Sequence, residues 1–295
     1  MPQPRKFYCR ILMNYQELGL KFACRDEALY GIASVPEQPA KRGVLVLVGG
    51  PQYRVGSHRQ FTLLARSLAE QGFAVLRFDY RGMGDSGGEM RDFEQVDEDL
   101  RAAIDQFFAA VPQLEDVVIW GLCDGASAAL FYANQDPRVT GLVLLNPWAR
   151  SAQGFAKTTL KHYYRARLLD PAMWRKIVLL RFDYGAAARS FWNQLATVLG
   201  RAAATSDNTP SRPSFHTRMQ TGLARFDGKV LLVISGADLT AKEFLDMANG
   251  TSQWRALLDA PRISRQTLEA ADHTFSRRHW RDQVSSWTGA WLTTW

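Results

Sequence analysis

The segment Val118-Ile119-Trp120-Gly121-Leu122-Cys123-Asp124-Gly125-Ala126 joins an apolar, strand-like run to a helix of small residues (Ala126, Ser127, Ala128, Ala129) through a G-x-C-x-G turn. So sharp a turn between strand and helix strains the backbone of its central residue, and the close neighbours leave no room for side chains at Gly121 and Gly125. This is the arrangement of a nucleophile elbow, with Cys123 in the nucleophile's place. The N-terminus of the following helix favours a thiolate there, and the adjacent Asp124 carboxylate opposes it. The alternative is an inert cysteine at a tight glycine turn, but strand, turn and helix in that order argue for the nucleophile.

A nucleophile of this kind needs a base, and the base needs an acid to orient it. Val230-Leu231-Leu232-Val233-Ile234-Ser235-Gly236-Ala237-Asp238 is an apolar strand running into a loop that ends in an acid, 115 residues after Cys123. Glu269-Ala270-Ala271-Asp272-His273-Thr274-Phe275 lies between the last strand and the last helix, which puts His273 on the same rim. Asp238 also suits the N-cap of a helix starting at Leu239. Asp272 is the competing acid, but a sequence neighbour of His273 is poorly placed to bond its Nδ1. His58, His162, His216 and His279 lack this placement, although the loop of His58 borders the rim. After the first buried strand comes Val48-Gly49-Gly50-Pro51-Gln52. Such a loop gives one backbone N–H to an oxyanion hole, and the residue after the nucleophile, Asp124, gives the other. Pro51 has no N–H, so the loop donor is Gly50 or Gln52.

These residues need a scaffold that brings loops from distant parts of the chain to one edge. Apolar β-rich runs alternate with amphipathic stretches, the pattern of a mostly parallel sheet with helices on both faces. Leu18–Cys24 and Ala28–Val35 read as an antiparallel hairpin turning at Arg25-Asp26-Glu27. Val44–Val48 is continuously apolar, as in a strand buried on both faces. Further strands are expected at Phe73–Phe78, Val117–Trp120, Val139–Leu145, Val230–Ser235 and Ile263–Leu268. Helices are expected at Gln60–Gln71, Asp92–Ala110, Ala126–Asn134 and from Phe275 towards Trp291. Trp148 to about Arg225 has helical periodicity, interrupted by the polar stretch Ala204–Ser214. Residues 1–147 and 226–295 therefore form an α/β core, and residues 148–225 an inserted helical cap placed over the carboxyl ends of the strands, where ligands bind.

The 295 residues are 46% hydrophobic and 22% charged, an ordinary globular composition that excludes wholesale disorder. No run of 18 apolar residues exists, and the start MPQPRKFYCR lacks the apolar core of a secretory signal. Three cysteines make neither a disulfide framework nor a metal cluster, so a soluble chain in a reducing cytoplasm is expected. The net charge of +7 is concentrated: residues 150–225 hold 13 Lys/Arg against 3 Asp/Glu, and the remainder is slightly acidic. That basic cap is either a solvated face or a surface turned towards an anion. Leu160–Lys176 adds aromatics beside basic residues, which fits peripheral contact at the inner membrane as well as packing on the core. Gly82-Met83-Gly84-Asp85-Ser86-Gly87 matches G-x-G-x-x-G, but the next strand ends Ile119-Trp120-Gly121 without the acid that would hold a ribose. Nicotinamide binding is rejected on that ground. No cofactor, metal or nucleic acid is expected.

With the elbow, Asp238, His273 and the run Phe78-Asp79-Tyr80-Arg81-Gly82-Met83-Gly84-Asp85-Ser86 in view, the chain resembles the α/β-hydrolase superfamily. More narrowly, Val48-Gly49-Gly50-Pro51-Gln52-Tyr53-Arg54, the elbow and Asn146-Pro147-Trp148 are similar to the hydrolases associated with exosortase A systems, bacterial proteins encoded in exopolysaccharide and protein-sorting loci. The resemblance implies the α/β-hydrolase fold with an inserted lid, the triad positions and a hydrolase, but no substrate. Cys123 in place of serine departs from the superfamily and is shared with dienelactone hydrolases and polyester synthases. The expected chemistry is a Cys123–His273–Asp238 triad cleaving an ester or thioester through a thioacyl-enzyme. The expected substrate is a small-molecule or lipid-like acyl compound, anionic if the basic cap faces it. An acyltransferase using the same intermediate, and a non-catalytic scaffold or membrane-surface binder, are the alternatives.

Overall fold

The structure, a computed structural model, describes residues 14–50, 52–149 and 214–295. Eight strands form one sheet: β1 (Tyr15–Cys24), β2 (Glu27–Pro36), β3 (Arg42–Leu47), β4 (Val75–Asp79), β5 (Asp116–Leu122), β6 (Val139–Leu145), β7 (Lys229–Ser235) and β8 (Ile263–Leu268). Their order is β1-β2-β4-β3-β5-β6-β7-β8. β1, β2 and β4 pair antiparallel, and every pair from β4–β3 to β7–β8 is parallel. The hairpin turn is tighter than the sequence suggests. Glu27 already pairs with Cys24, leaving only Arg25 and Asp26 to turn, with Arg25 at φ 53°.

The continuous apolar runs are explained by burial on two sides. Val44 and Val46 pack on one face of the sheet, beneath α1 (Gln60–Glu70) and the C-terminal helix Arg278–Leu292, through Phe61, Leu64, Leu68, Trp280 and Val284. Leu45 and Leu47 face the other way, with Ile119, Leu142 and Leu232. There they meet α2 (Asp97–Ala110), α3 (Asp124–Tyr132), α4 (Phe215–Arg225), α5 (Leu239–Asn249) and α6 (Ser252–Leu258). The C-terminal helix is α7. The period-2 alternation of a strand thus divides each run between two cores. α2 starts later than Asp92 because that residue caps a 3₁₀ turn, accepting from Glu94 N–H, and the α-helix begins only at Asp97. Most of the basic cap, residues 150–213, lies outside the described residues. Its last part forms α4, which packs on α3 closely enough that Gly222 abuts the Leu130 carbonyl. Among the described residues no helix is long and apolar enough to cross a membrane.

The run from Asp79 to Ser86 is a brace. The fully buried Asp79 carboxylate accepts from the Arg54 and Asp85 backbone N–H groups at 2.6 and 3.2 Å and pairs with the Arg54 guanidinium. It therefore joins the loop after β3 to the loop after β4. Ser86 Oγ donates to the Asp79 carbonyl and accepts from Tyr30 N–H, tying the same loop to β2. Arg81, 3% exposed, forks onto Asp99, 0% exposed, with bonds of 2.8–3.2 Å, and reaches Glu98 as well. The side-chain bonds to Asp99, against the opposing effect of burial, hold the Arg81 pKa above its ordinary value. Removing one partner of such a pair leaves a buried charge uncompensated. Asp99→Ala should therefore destabilise the protein by about 3–5 kcal/mol, read from the urea midpoint. A loss below about 1 kcal/mol would show that Glu98 alone suffices for Arg81.

Candidate active site

β5 ends in the elbow. Cys123 has φ 60° and ψ −124°, a conformation that L-residues rarely adopt. The surroundings hold it there: its N–H donates to the Leu145 carbonyl at 2.9 Å, and its carbonyl accepts from Ala126 and Trp148 N–H groups at 3.1 Å. Packing also explains the flanking glycines. A Cβ on Gly121 would lie 2.6 Å from the Gly125 carbonyl, and one on Gly125 would lie 2.6 Å from the Leu47 carbonyl. The half-buried Cys123 is left at the N-terminus of α3.

His273 sits on the loop after β8 and Asp238 at the end of the loop after β7. His273 Nδ1–H donates to Asp238 Oδ2 at 2.7 Å, and Cys123 lies near enough to the imidazole to favour its charged form. Thiol, imidazole and carboxylate thus form one line along the carboxyl ends of the strands. Burial alone would push the His273 pKa down, but the bonds and charges of Asp238 and Cys123 outweigh it and raise it to about 10. Asp238 makes two sets of contacts at once. Its carboxylate caps α5, accepting from Thr240 and Ala241 N–H groups at 3.1 Å, while it bonds His273. The cap fixes the carboxylate and so fixes the ring. Asp272 is occupied elsewhere: it accepts from the Ser276 backbone N–H at 2.9 Å and from the Ser276 hydroxyl.

The loop after β3 approaches the elbow through Gly50, whose N–H donates to Asp124 Oδ2 at 2.7 Å. Gln52 N–H is satisfied inside its own loop by the Gly50 carbonyl at 2.8 Å, and the Gln52 side chain accepts from Ser57. Of the two candidate donors, only Gly50 has its N–H directed at the elbow. The Asp124 side chain is an occupant of this corner that the sequence reading does not anticipate. Besides Gly50 it accepts from Gly125 N–H at 3.0 Å. Burial raises its pKa, against the pull of the Gly50, Gly125 and Asp124 backbone N–H groups and of His273. A cleft of about 430 Å³, lined by Gln52, Tyr53, Met83 and Asp85 among others, opens beside the loop. Among the described residues no group of three or more His, Cys, Asp or Glu side chains is placed to hold a metal ion.

Sequence reasoning misses Asn146 and Ser235 as positioning residues. Asn146, fully buried at φ 43° just past β6, donates from Nδ2 to the His273 carbonyl at 3.0 Å and to Ser235 Oγ at 2.9 Å, and accepts from Ser235 N–H at 2.8 Å. Ser235 Oγ in turn donates to the Asp272 carbonyl at 2.9 Å. Three loops are locked together by two small polar side chains. An asparagine directly after an apolar strand is the available signal, because Asn tolerates positive φ and can bond neighbouring backbone. Two other histidines have partners of their own, His216 on the Ala149 carbonyl and His279 against Trp280, while the charge of His58 acts on Asp272. His162 lies outside the described residues.

Comparison with known proteins agrees with this architecture. An uncharacterized Pseudomonas aeruginosa protein is 33% identical over 103 residues, 33% of this chain, and the match spans only 27% of that protein's length. The quorum-quenching protein AidA of Acinetobacter baumannii is 26% identical over 237 residues, covering 73% of this chain and 70% of AidA. The polyketide transferase grgF of a Penicillium species is 30% identical over 114 residues, 37% of this chain and 38% of that enzyme. Among solved structures, the Pyrococcus furiosus esterase Pf2001 superposes with a TM-score of 0.64 at 14% identity, covering 96% of this chain and 94% of the esterase, a likeness of fold. The family described as serine aminopeptidase, S33, matches residues 39–261, which takes in the elbow, the brace and Asp238, and the chain belongs to this family of α/β-hydrolases.

Proposed function

We propose that the chain is a cysteine hydrolase that cleaves an ester or thioester through a thioacyl-enzyme. The observation that carries the reading is the line Cys123–His273–Asp238, with the thiol on a strained elbow at a helix N-terminus and the imidazole held cationic. In this reading the thiol proton already sits on His273 at rest, as a thiolate–imidazolium pair. The thiolate attacks the acyl carbonyl, and the oxyanion is received by the backbone N–H groups of Gly50 and Asp124. His273 then protonates the leaving group, and in the second half-reaction it takes a proton from the water that attacks the thioester. Asp238 keeps Nδ1 protonated and stabilises the imidazolium.

Acyl transfer is the second reading. It is favoured by the similarity to a polyketide transferase over the segment matched, and by the reactivity that a thioester intermediate retains towards alcohols. The motifs shared with exosortase-associated hydrolases support a setting in bacterial exopolysaccharide or protein-sorting systems. The excess of Lys and Arg in residues 150–225 supports an anionic acyl substrate or contact with an anionic membrane surface.

Turnover of a panel of aryl esters and acyl thioesters tests the reading. Cys123→Ala should abolish it, and added acceptor alcohols should divert product from acid to ester if transfer operates. Undiminished turnover by Cys123→Ala would overturn the proposal. Asp238→Asn keeps an acceptor for the α5 cap but removes the charge, so kcat should fall by up to about 10⁴-fold with an unchanged circular dichroism spectrum. Asp272→Asn should cost far less, since its carboxylate serves Ser276. A reversed order in two folded variants would reassign the acid. In a ¹H–¹⁵N NMR titration His273 should lose its proton near pH 10. Asp238→Asn removes the carboxylate that favours the cation, so the midpoint should move to lower pH. An unmoved midpoint would separate the two residues.

A further inference from the structure

The Gly50 N–H that would receive the oxyanion already donates to Asp124 Oδ2 at 2.7 Å, while the Gly125 N–H donates to Oδ1 at 3.0 Å. The Asp124 backbone N–H, the second oxyanion donor, also stabilises this carboxylate. The fit is close. A Cβ on Gly49 would lie 2.0 Å from Asp124 Oδ1, so only a glycine there admits the carboxylate. A carboxylate oxygen and the oxyanion of a tetrahedral adduct are both anionic acceptors and compete for the same donors.

We propose that the Asp124 side chain is a built-in competitor of the oxyanion: its carboxylate fills the oxyanion hole of the resting enzyme, every acyl group must displace it, and turnover of all substrates is lowered by one common factor. The idea rests on the Cys123 reading and deepens it. A small activated ester brings little beyond its carbonyl and must break charge-assisted bonds to enter. A substrate with a longer acyl chain or larger leaving group spends remote binding energy on the same displacement. The cleft beside the loop, with Tyr53 exposed at its wall, offers a surface for such contacts. The common cost leaves a short ester, with little else to bind it, turning over slowly.

The test compares p-nitrophenyl acetate with a longer-chain p-nitrophenyl ester in the native enzyme, Asp124→Asn and Asp124→Ser. Asn keeps the shape but lowers the strength of the competing acceptor, and Ser empties the hole. With Asp124→Ser, kcat/KM for the acetyl ester should rise about 10- to 100-fold, the worth of a hydrogen bond to a charged group. Asp124→Asn should fall between native and Ser, and the long-chain ester should gain by the same factor as the acetyl ester, because both displace the same carboxylate. An aldehyde inhibitor, which forms a tetrahedral adduct on a thiol, should bind the variants more tightly by a similar factor. A merely structural role predicts a loss for both esters instead of a gain, and that outcome, or unchanged kinetics in folded variants, would overturn the proposal. Cys123→Ala run in parallel separates the two claims: if it is inactive while the Asp124 variants behave like native, the occupied hole is wrong and the nucleophile stands.

Discussion

Everything at this site depends on one strained residue. Cys123 at φ 60° and ψ −124° costs about 1–3 kcal/mol relative to an ordinary backbone conformation. The site keeps it because β6 accepts its N–H, α3 and Trp148 donate to its carbonyl, and two glycines allow β5, α3 and β3 to touch. Relaxing the elbow would swing the thiol away from His273 and dismantle the N–H corner at the same time. The parallel strands serve this geometry, since only a sheet covered on both faces brings the ends of β3, β5, β6, β7 and β8 to one edge without exposing apolar surface.

Around the elbow, precision comes from carboxylates and amides that each serve two elements. Asp238 caps α5 and holds the imidazole; Asn146 bonds both β7 and the His273 loop; Asp79 bonds both the loop after β3 and the loop after β4. Such sharing ties the site to the fold: a side chain whose partner also caps a helix has little freedom to drift. It also explains why the G-x-G-x-x-G run belongs to the brace. Its glycines let the chain fold back over Asp79, where a Cβ at Gly84 would stand 2.3 Å from a carboxylate oxygen.

Cys123 and Asp238 are legible because each follows an apolar run, and His273 because it lies between the last strand and the last helix; in a parallel sheet the residues just past the strands share an edge. Periodicity located all eight strands and most described helices, with errors at the ends. α2 begins at Asp97 because Asp92 spends its side chain on a 3₁₀ turn, and α6, only seven residues long, is too short for its period to register. Asn146 and Ser235 escaped because their importance lies in contacts between residues 89 apart, which no local pattern encodes. The Asp124 carboxylate was read as a neighbour that disfavours the thiolate. Its bond to Gly50 depends on how closely two loops approach, and only the folded chain reveals that distance.

The central claim is that the acyl group passes through Cys123. Intact-protein mass spectrometry after rapid mixing with an acyl thioester, followed by proteolytic mapping, tests it directly. The account predicts one added acyl mass on Cys123, decaying as water or an acceptor removes it, lost in Cys123→Ala, and longer-lived when His273 is replaced. An acyl group mapped to any other residue during turnover, or turnover by Cys123→Ala at the native rate, would contradict it.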